Sequence, residues 1–175
     1  MCRKLVLILG LGLLATPGPV FAQDAVELAV TQRQIVAMPG AEKIVLLVRN
    51  SLITLNDALK TGNYTVLRDM GAPGFREANS AAHLSQIFAD LVAKKVDLSA
   101  VAVITPQLSQ APGLDQEKGM LHLKGYFPGK PVQINFELLY QAVDGQWRLF
   151  GISVNPGAPV AAEMQGSQPN TAEKK

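Results

Sequence analysis

The amino-acid sequence predicts an α+β fold in which three N-terminal helices pack on one face of a four-stranded antiparallel sheet. Up to Lys95 the apolar residues recur every three or four positions, and after it they recur every second position. These are the periods of amphipathic helices and of half-buried strands. Asp144 and Gly145 form the strongest hairpin signal in the chain, so the last two strands are expected to pair as neighbours.

The helical part contains three predicted segments. The first covers 42–61, where the apolar residues share one side and Gly62 provides a C-terminal stop. The second covers 63–70 and ends in a Gly-Ala-Pro-Gly turn. The third covers 80–95, with polar capping residues at its start and an apolar stripe along its length.

Four strands are predicted in the second half, at 101–105, 120–127, 131–143 and 146–154. A long polar connection separates the first strand from the second. In the two middle strands one side is apolar and is expected to face the helices. Its members are Leu121, Leu123, Phe127, Val132, Ile134, Phe136 and Leu138. This side offers no acid or base, so the sequence predicts an apolar interior.

The N-terminal segment has the pattern of a secretory signal peptide. Residues 1–4 are basic, residues 5–15 are apolar, and small residues precede an expected cleavage between Ala22 and Gln23. The apolar run is shorter than the roughly 18 residues that a membrane span needs. We therefore expect a periplasmic or secreted bacterial protein with no membrane span after the signal is removed.

Charge and cysteine content exclude several functional classes. The 175 residues include 16 Lys and Arg against 14 Asp and Glu, and Arg3 and Lys4 belong to the signal segment. Residues 23–175 are thus formally neutral, which argues against nucleic-acid binding, since that depends on clustered positive charge. Cys2 is the only cysteine and lies in the same segment, so disulfides and thiolate chemistry are excluded from the rest of the chain.

Composition divides the remainder into three parts. Residues 23–41 are expected to form an N-terminal tether and residues 42–155 the folded domain. Residues 156–175 are polar and contain prolines, and we expect them to form a disordered tail. The two polar flanks leave open a role in binding other proteins of the cell envelope.

Several segments resemble a known superfamily. They are Leu59–Tyr64, Pro73–Arg76, Ile87–Leu91, Asn135–Glu137 and Asp144–Gly151. With the order of helices and strands, they make residues 42–155 similar to the NTF2-like (cystatin-like α+β cone) superfamily, and within it to a group of exported bacterial proteins. The resemblance implies a curved sheet that forms a cone with the helices. It does not imply one function, because this fold hosts isomerases, dehydratases, transport factors and scaffolds.

The functional prediction is a non-enzymatic binding or scaffold module, dimeric, with an apolar pocket for a small apolar ligand. The alternative is a small-molecule isomerase or hydrolase that uses the cone cavity, with Tyr64, Asp69 or His83 as its acid or base. Tyr140 is the other polar group expected near the cavity. His83 and His122 lack metal-ligand spacing, and no phosphate-binding or dinucleotide motif occurs. We therefore predict no catalytic, metal or cofactor residues.

A patch on the last strands carries the dimer prediction. Leu139, Phe150, Ile152 and Val154 are expected on the outer side of the sheet, which should be polar if it faces water. Two alternatives explain how this apolar surface could be buried. One is a second copy of the chain, and the other is the chain's own tether or tail.

Overall fold

The structure, a computed structural model, describes residues 36–158 and has an α+β fold. The helices are α1 (Ala41–Thr61), α2 (Thr65–Asp69), α3 (Pro73–Ala78), α4 (Ala81–Ile87), α5 (Ala89–Ala93) and a 3-10 helix, η1 (Ser99–Ala102). The strands are β1 (Gln107–Leu108), β2 (Gly113–Asp115), β3 (Met120–Phe127), β4 (Gln133–Val143) and β5 (Gln146–Gly157). They form one antiparallel sheet in the order β1-β3-β4-β5, and β2 also pairs with β3.

Three of the expected segments lie outside the described residues. They are the signal peptide at 1–22 with its cleavage between Ala22 and Gln23, most of the tether at 23–41, and the tail beyond residue 158. The end of the folded domain is described, and β5 continues to Gly157, two residues past the expected boundary at 155. Pro156 fits there because β5 pairs only with β4 along this stretch, and a proline is tolerated on an edge strand.

Helix α1 is the main helix of the fold and confirms the first predicted segment. It ends at Gly62, whose φ of +71° is the left-handed conformation that glycine favours at a helix C-terminus. The N–H of Gly62 donates to the Ala58 carbonyl, 2.8 Å away. Val48, Leu52 and Leu55 are fully buried and belong to the core formed with the sheet.

The later helices are more numerous than predicted. Helix α3 begins at Pro73, inside the segment expected to be a turn, because proline is well suited to the first position of a helix. The predicted helix over 80–95 is divided at Phe88 into α4 and α5. Its start is as expected, since the Ser80 hydroxyl accepts the N–H of His83 at 3.1 Å.

The predicted strand over 101–105 is wrong, because this segment begins within η1. The Asp97 carboxylate accepts hydrogen bonds from the N–H and the hydroxyl of Ser99, which turns the chain locally. Val101 is buried and Val103 is 81% exposed, so the alternation of valines that suggested a strand reflects a helical turn. Strands β1 and β2 instead form in the segment predicted to be a connection.

The hairpin between β4 and β5 confirms the Asp-Gly signal. Asp144 and Gly145 have φ of +50° and +73°. A two-residue turn with both central residues at positive φ matches the right-handed twist of the flanking strands.

A β-bulge interrupts the pairing of β4 and β5 and reverses the alternation of β5. Leu138 pairs with Ile152, whereas Tyr140 pairs with Leu149. Two residues of β5 therefore lie opposite Leu139 alone, which is the geometry of a bulge. Before the bulge the odd-numbered residues of β5 face the helices, and after it the even-numbered ones do.

Because of the bulge, the four residues of the expected apolar patch do not share one surface. Val154 is 5% exposed and belongs to the core, and Ile152 packs against the core from the same side. Leu139 is half-buried on the other side of the sheet, and Phe150 is 38% exposed at the bulge. The four residues expected to share one outer surface are thus divided between the two sides.

The outer side of the sheet is polar where β3 and β4 pair. His122 Nε2 lies 2.8 Å from Glu137 Oε1, and Lys124 Nζ lies 3.6 Å from Glu137 Oε2. Such half-exposed pairs are compatible with a water-facing surface. The bulge accounts for Ile152 and Val154, whereas Leu139 and Phe150 stay partly exposed.

Two buried tyrosines occupy contrasting environments. The Tyr140 hydroxyl donates to the Leu47 carbonyl at 2.8 Å and accepts from the Ser51 hydroxyl at 2.9 Å, which connects β4 to α1. Tyr64 stacks on Phe88 with ring centroids 6.2 Å apart. Its hydroxyl is buried without a hydrogen-bond partner among residues 36–158, and burial raises its pKa.

Removing the two hydroxyls should have different effects on stability. Tyr140→Phe leaves the hydroxyl of the buried Ser51 without its partner on β4 and should lower the free energy of unfolding by about 1–3 kcal/mol. Tyr64→Phe removes a hydroxyl that makes no compensating bond and should leave stability unchanged or raise it by about 1 kcal/mol. Urea unfolding of the two variants and the parent protein measures both effects. Equal destabilisation by the two changes would contradict the contrast drawn between the bonded hydroxyl of Tyr140 and the unbonded hydroxyl of Tyr64.

Candidate functional site

A cavity of about 540 Å³ lies at one end of the sheet, between the segment around η1 and the connection from β3 to β4. It exceeds in volume the cavity beside Tyr140 that is described below. Its lining consists of Lys94, Val96, Asp97, Leu98, Ala100, Val101, Ile104, Phe127, Pro128, Gly129, Lys130, Val132, Ile134 and Pro156. Most of these side chains are apolar, and the charged ones are exposed.

The floor of the cavity is built by the sheet. Phe127, Ile134 and Pro156 lie in one row across three strands, because Phe127 pairs with Ile134 and Ile134 pairs with Pro156. The sequence predicted Phe127 and Ile134 on the inward side, and the structure places both against the cavity. The bulge brings Pro156 to the same side, since it restores even-numbered residues of β5 to the helix-facing surface.

The opposite wall is the segment 96–104, which helix α1 holds in place. The Asn56 side-chain oxygen accepts the N–H of Leu98 at 3.0 Å, and both residues are buried. Arg49 Nη2 donates to the carbonyl of Ile104 at 3.1 Å. These two bonds satisfy backbone groups that an irregular segment would otherwise leave unpaired in the core.

A tight turn forms the edge of the cavity next to the sheet. A Cβ on Gly129 would collide with the carbonyl oxygen of Val132, so only glycine fits at this position. Val132 lines the cavity and is 47% exposed. The turn therefore presents an apolar side chain at the cavity entrance.

Charged groups surround the entrance. Asp97 is held by Lys60, whose Nζ is 3.2 Å from the carboxylate, and by hydrogen bonds from Ser99. The Ser99 hydrogen bonds, and then Lys60, lower the pKa of Asp97 to about 2. Lys94 and Lys130 are exposed, and neither forms an ion pair with a carboxylate of residues 36–158.

The residues proposed as an acid or base do not gather at this cavity. Tyr64 is enclosed in the core, Asp69 pairs with Arg68 at 2.7 Å, and His83 is exposed at the start of α4. None of the three lines the cavity.

A smaller cavity of about 160 Å³ lies beside the buried Tyr140. Ser51, Thr54 and Trp147 are among its lining residues, so its surface is more polar. Burial raises the pKa of Tyr140 well above its usual value, and the hydrogen bond with Ser51 opposes this effect. Its hydroxyl hydrogen is directed to the Leu47 carbonyl, which suits a structural role.

Sequence reasoning found the floor of the large cavity and missed its wall. The alternation of valines at 101–105 predicts a strand, whereas the segment begins within η1, so the sequence pattern does not indicate that it encloses a space. One local signal was available. Asp97 and Ser99 have the spacing of an Asx turn, in which a side-chain oxygen accepts a backbone N–H two residues later.

Removing the Asn56 amide should destabilise the cavity wall. Asn56→Ala leaves the buried N–H of Leu98 unpaired, and we expect the free energy of unfolding to fall by about 1–3 kcal/mol. Asn50→Ala, at an exposed position of the same helix, is the matched control and should change stability by less than about 0.5 kcal/mol. Urea unfolding compares the two variants, and equal effects would contradict the role given to Asn56.

The depressed pKa of Asp97 should appear as pH-dependent stability. The folded state binds the Asp97 proton only near pH 2, whereas the unfolded chain binds it near the ordinary value of 3.8. The stabilisation is therefore complete above about pH 5 and is lost progressively as the pH falls through the ordinary value toward about 2. The stability difference between the parent and Asp97→Asn should narrow over this window when unfolding is measured at each pH. A difference that does not vary between about pH 5 and pH 2 would contradict this prediction.

No helix within residues 36–158 is long and apolar enough to cross a membrane. Over the same residues, no three or more His, Cys, Asp or Glu side chains are grouped so as to hold a metal ion. Comparison of the chain with protein-family models, with curated proteins and with solved structures finds no match.

Proposed function

We propose that the protein is an exported, non-enzymatic binding module of the NTF2-like type, whose large cavity takes a small apolar ligand. The observation that carries the proposal is the cavity of about 540 Å³ with its mainly apolar lining. Ligand sites of proteins have volumes of roughly 300–1,000 Å³ and are mostly apolar, with a few polar groups that orient the ligand.

An exposed apolar side chain at the entrance supports a ligand of this kind. Val132 is 47% exposed and lines the cavity. Covering such surface with an apolar molecule is favourable by about 25 cal/mol per Å². A bound ligand would bury Val132 together with the floor residues beneath it.

The NTF2-like and exported parts of the proposal rest on different observations. The order of elements supports an NTF2-like cone, since one long N-terminal helix lies against an antiparallel sheet of three long C-terminal strands. Export to the periplasm or the medium is supported by the sequence pattern of residues 1–22.

The homodimer predicted from the sequence stays a prediction. The exposed apolar surface that supports it is smaller than expected. Ile152 and Val154 belong to the core side of the sheet. Only Leu139 and Phe150 of the expected patch are left for a second copy to contact.

A binding role is favoured over an isomerase or hydrolase by the position of the charged groups. Acid–base catalysis requires a titratable group within hydrogen-bond reach of the reacting atoms. The ionisable residues that line the cavity are Lys94, Asp97 and Lys130, and all three are exposed at its entrance. The interior surface consists of hydrocarbon side chains and backbone.

Filling the cavity should abolish the binding of a neutral apolar probe. Ala100 lines the cavity from η1, so Ala100→Trp places an indole in the space that the ligand needs. Ala102 is exposed on the same 3-10 helix and does not line the cavity, which makes Ala102→Trp the matched control. Titration calorimetry with 1-decanol should show at least about tenfold weaker binding for Ala100→Trp, a cost of about 1.4 kcal/mol.

Two results would contradict the proposed function. One is the absence of 1-decanol binding to the parent protein. The other is equal weakening by Ala100→Trp and Ala102→Trp, since the second substitution adds the same side chain outside the cavity.

A further inference from the structure

We infer, on the basis of the proposed binding function, that the natural ligand is a single-chain amphiphile with an anionic head group. Its hydrocarbon chain lies on the apolar floor of the cavity, and its head group lies at the entrance between Lys94 and Lys130. The inference adds a head-group charge and an orientation to the proposed function.

The entrance carries two positive charges from opposite sides. Lys94 follows the end of α5, next to the wall segment, and Lys130 lies in the turn between β3 and β4. Both side chains line the cavity and both are exposed. Because they come from different elements, a head group between them would contact both walls of the entrance.

The negative charge at the entrance is already compensated. Asp97 pairs with Lys60 and accepts hydrogen bonds from Ser99. Lys94 and Lys130 have no carboxylate partner in the described part of the chain. The entrance is therefore net positive, which is complementary to an anion and repels a cation.

The interior selects for a hydrocarbon chain. The row of Phe127, Ile134 and Pro156 faces Val101 and its neighbours across the cavity. Each methylene that leaves water for such a surface contributes about 0.8 kcal/mol, which is about a fourfold gain in affinity. Affinity should rise with chain length until the cavity is full.

Two other lysines provide a matched control. Lys43 and Lys95 are exposed and likewise form no ion pair among residues 36–158, but they do not line this cavity. Lys43→Gln/Lys95→Gln and Lys94→Gln/Lys130→Gln change the net charge of the protein by the same amount. Any difference in ligand binding between the two double variants therefore arises from the positions of the lysines and not from the net charge.

The experiment compares three probes with the same ten-carbon chain. Titration calorimetry of the purified protein at low ionic strength uses decanoate, 1-decanol and decyltrimethylammonium. Decanoate should bind about two- to thirtyfold more tightly than 1-decanol, as expected for two exposed ion pairs, and added salt should reduce this ratio. Decyltrimethylammonium should bind more weakly than 1-decanol.

The variants test which lysines produce the preference for decanoate. In Lys94→Gln/Lys130→Gln the preference for decanoate over 1-decanol should disappear, because the uncharged glutamines form no ion pair with the carboxylate. The control double variant should keep the preference. Octanoate and dodecanoate added to the series test the expected rise in affinity with chain length.

The outcomes that would overturn the inference are distinct from failure of the proposed function. Equal binding of decanoate and 1-decanol by the parent protein, or loss of the preference in the control variant, overturns the head-group assignment and leaves the binding module standing. Binding of none of the three probes overturns both. Binding of decanoate only after deletion of residues 159–175 would identify that segment as the occupant and also overturn the inference.

Discussion

The packing of helix α1 on the inner side of the sheet is the constraint on which the rest of the structure depends. Its apolar stripe closes the core, and two of its buried polar side chains form hydrogen bonds with other elements, which matters because an unpaired buried group costs about 1–3 kcal/mol. Ser51 meets Tyr140 of β4, and Asn56 meets the backbone of Leu98. The first contact fixes the position of α1 on the sheet, and the second fixes the path of the irregular segment 96–104.

The cavity follows from that path. The segment 96–104 is held away from the end of the sheet by bonds to α1, and the sheet ends in a turn that only Gly129 permits. Between them lies a space with a hydrocarbon interior, because strand pairing places apolar residues of three strands in one row. Charge is confined to the entrance, where long lysine side chains reach water.

Sequence reasoning succeeded where the signal is local. The limits of α1, strand β3 and the hairpin at Asp144 could be predicted because a C-terminal glycine, strict alternation and a two-residue turn each act within a few residues. It was wrong at 101–105, where two side-chain bonds from Asp97 form a 3-10 turn whose residues alternate like a strand. The cavity wall was missed for the same reason, because its enclosure depends on contacts with α1 that are distant in the chain.

The sequence by itself determined the fold class, the main helix, the long strands and the apolar character of the interior, because composition and periodicity are properties of the chain alone. Tertiary structure decided which side of β5 each residue occupies. Alternation in the sequence shows that every second residue of a strand shares a side of the sheet. It does not show which side the residues beyond a bulge occupy. One extra residue opposite Leu139 turns Ile152 and Val154 toward the core and leaves Phe150 partly exposed, and only pairing with β4 determines where that residue lies.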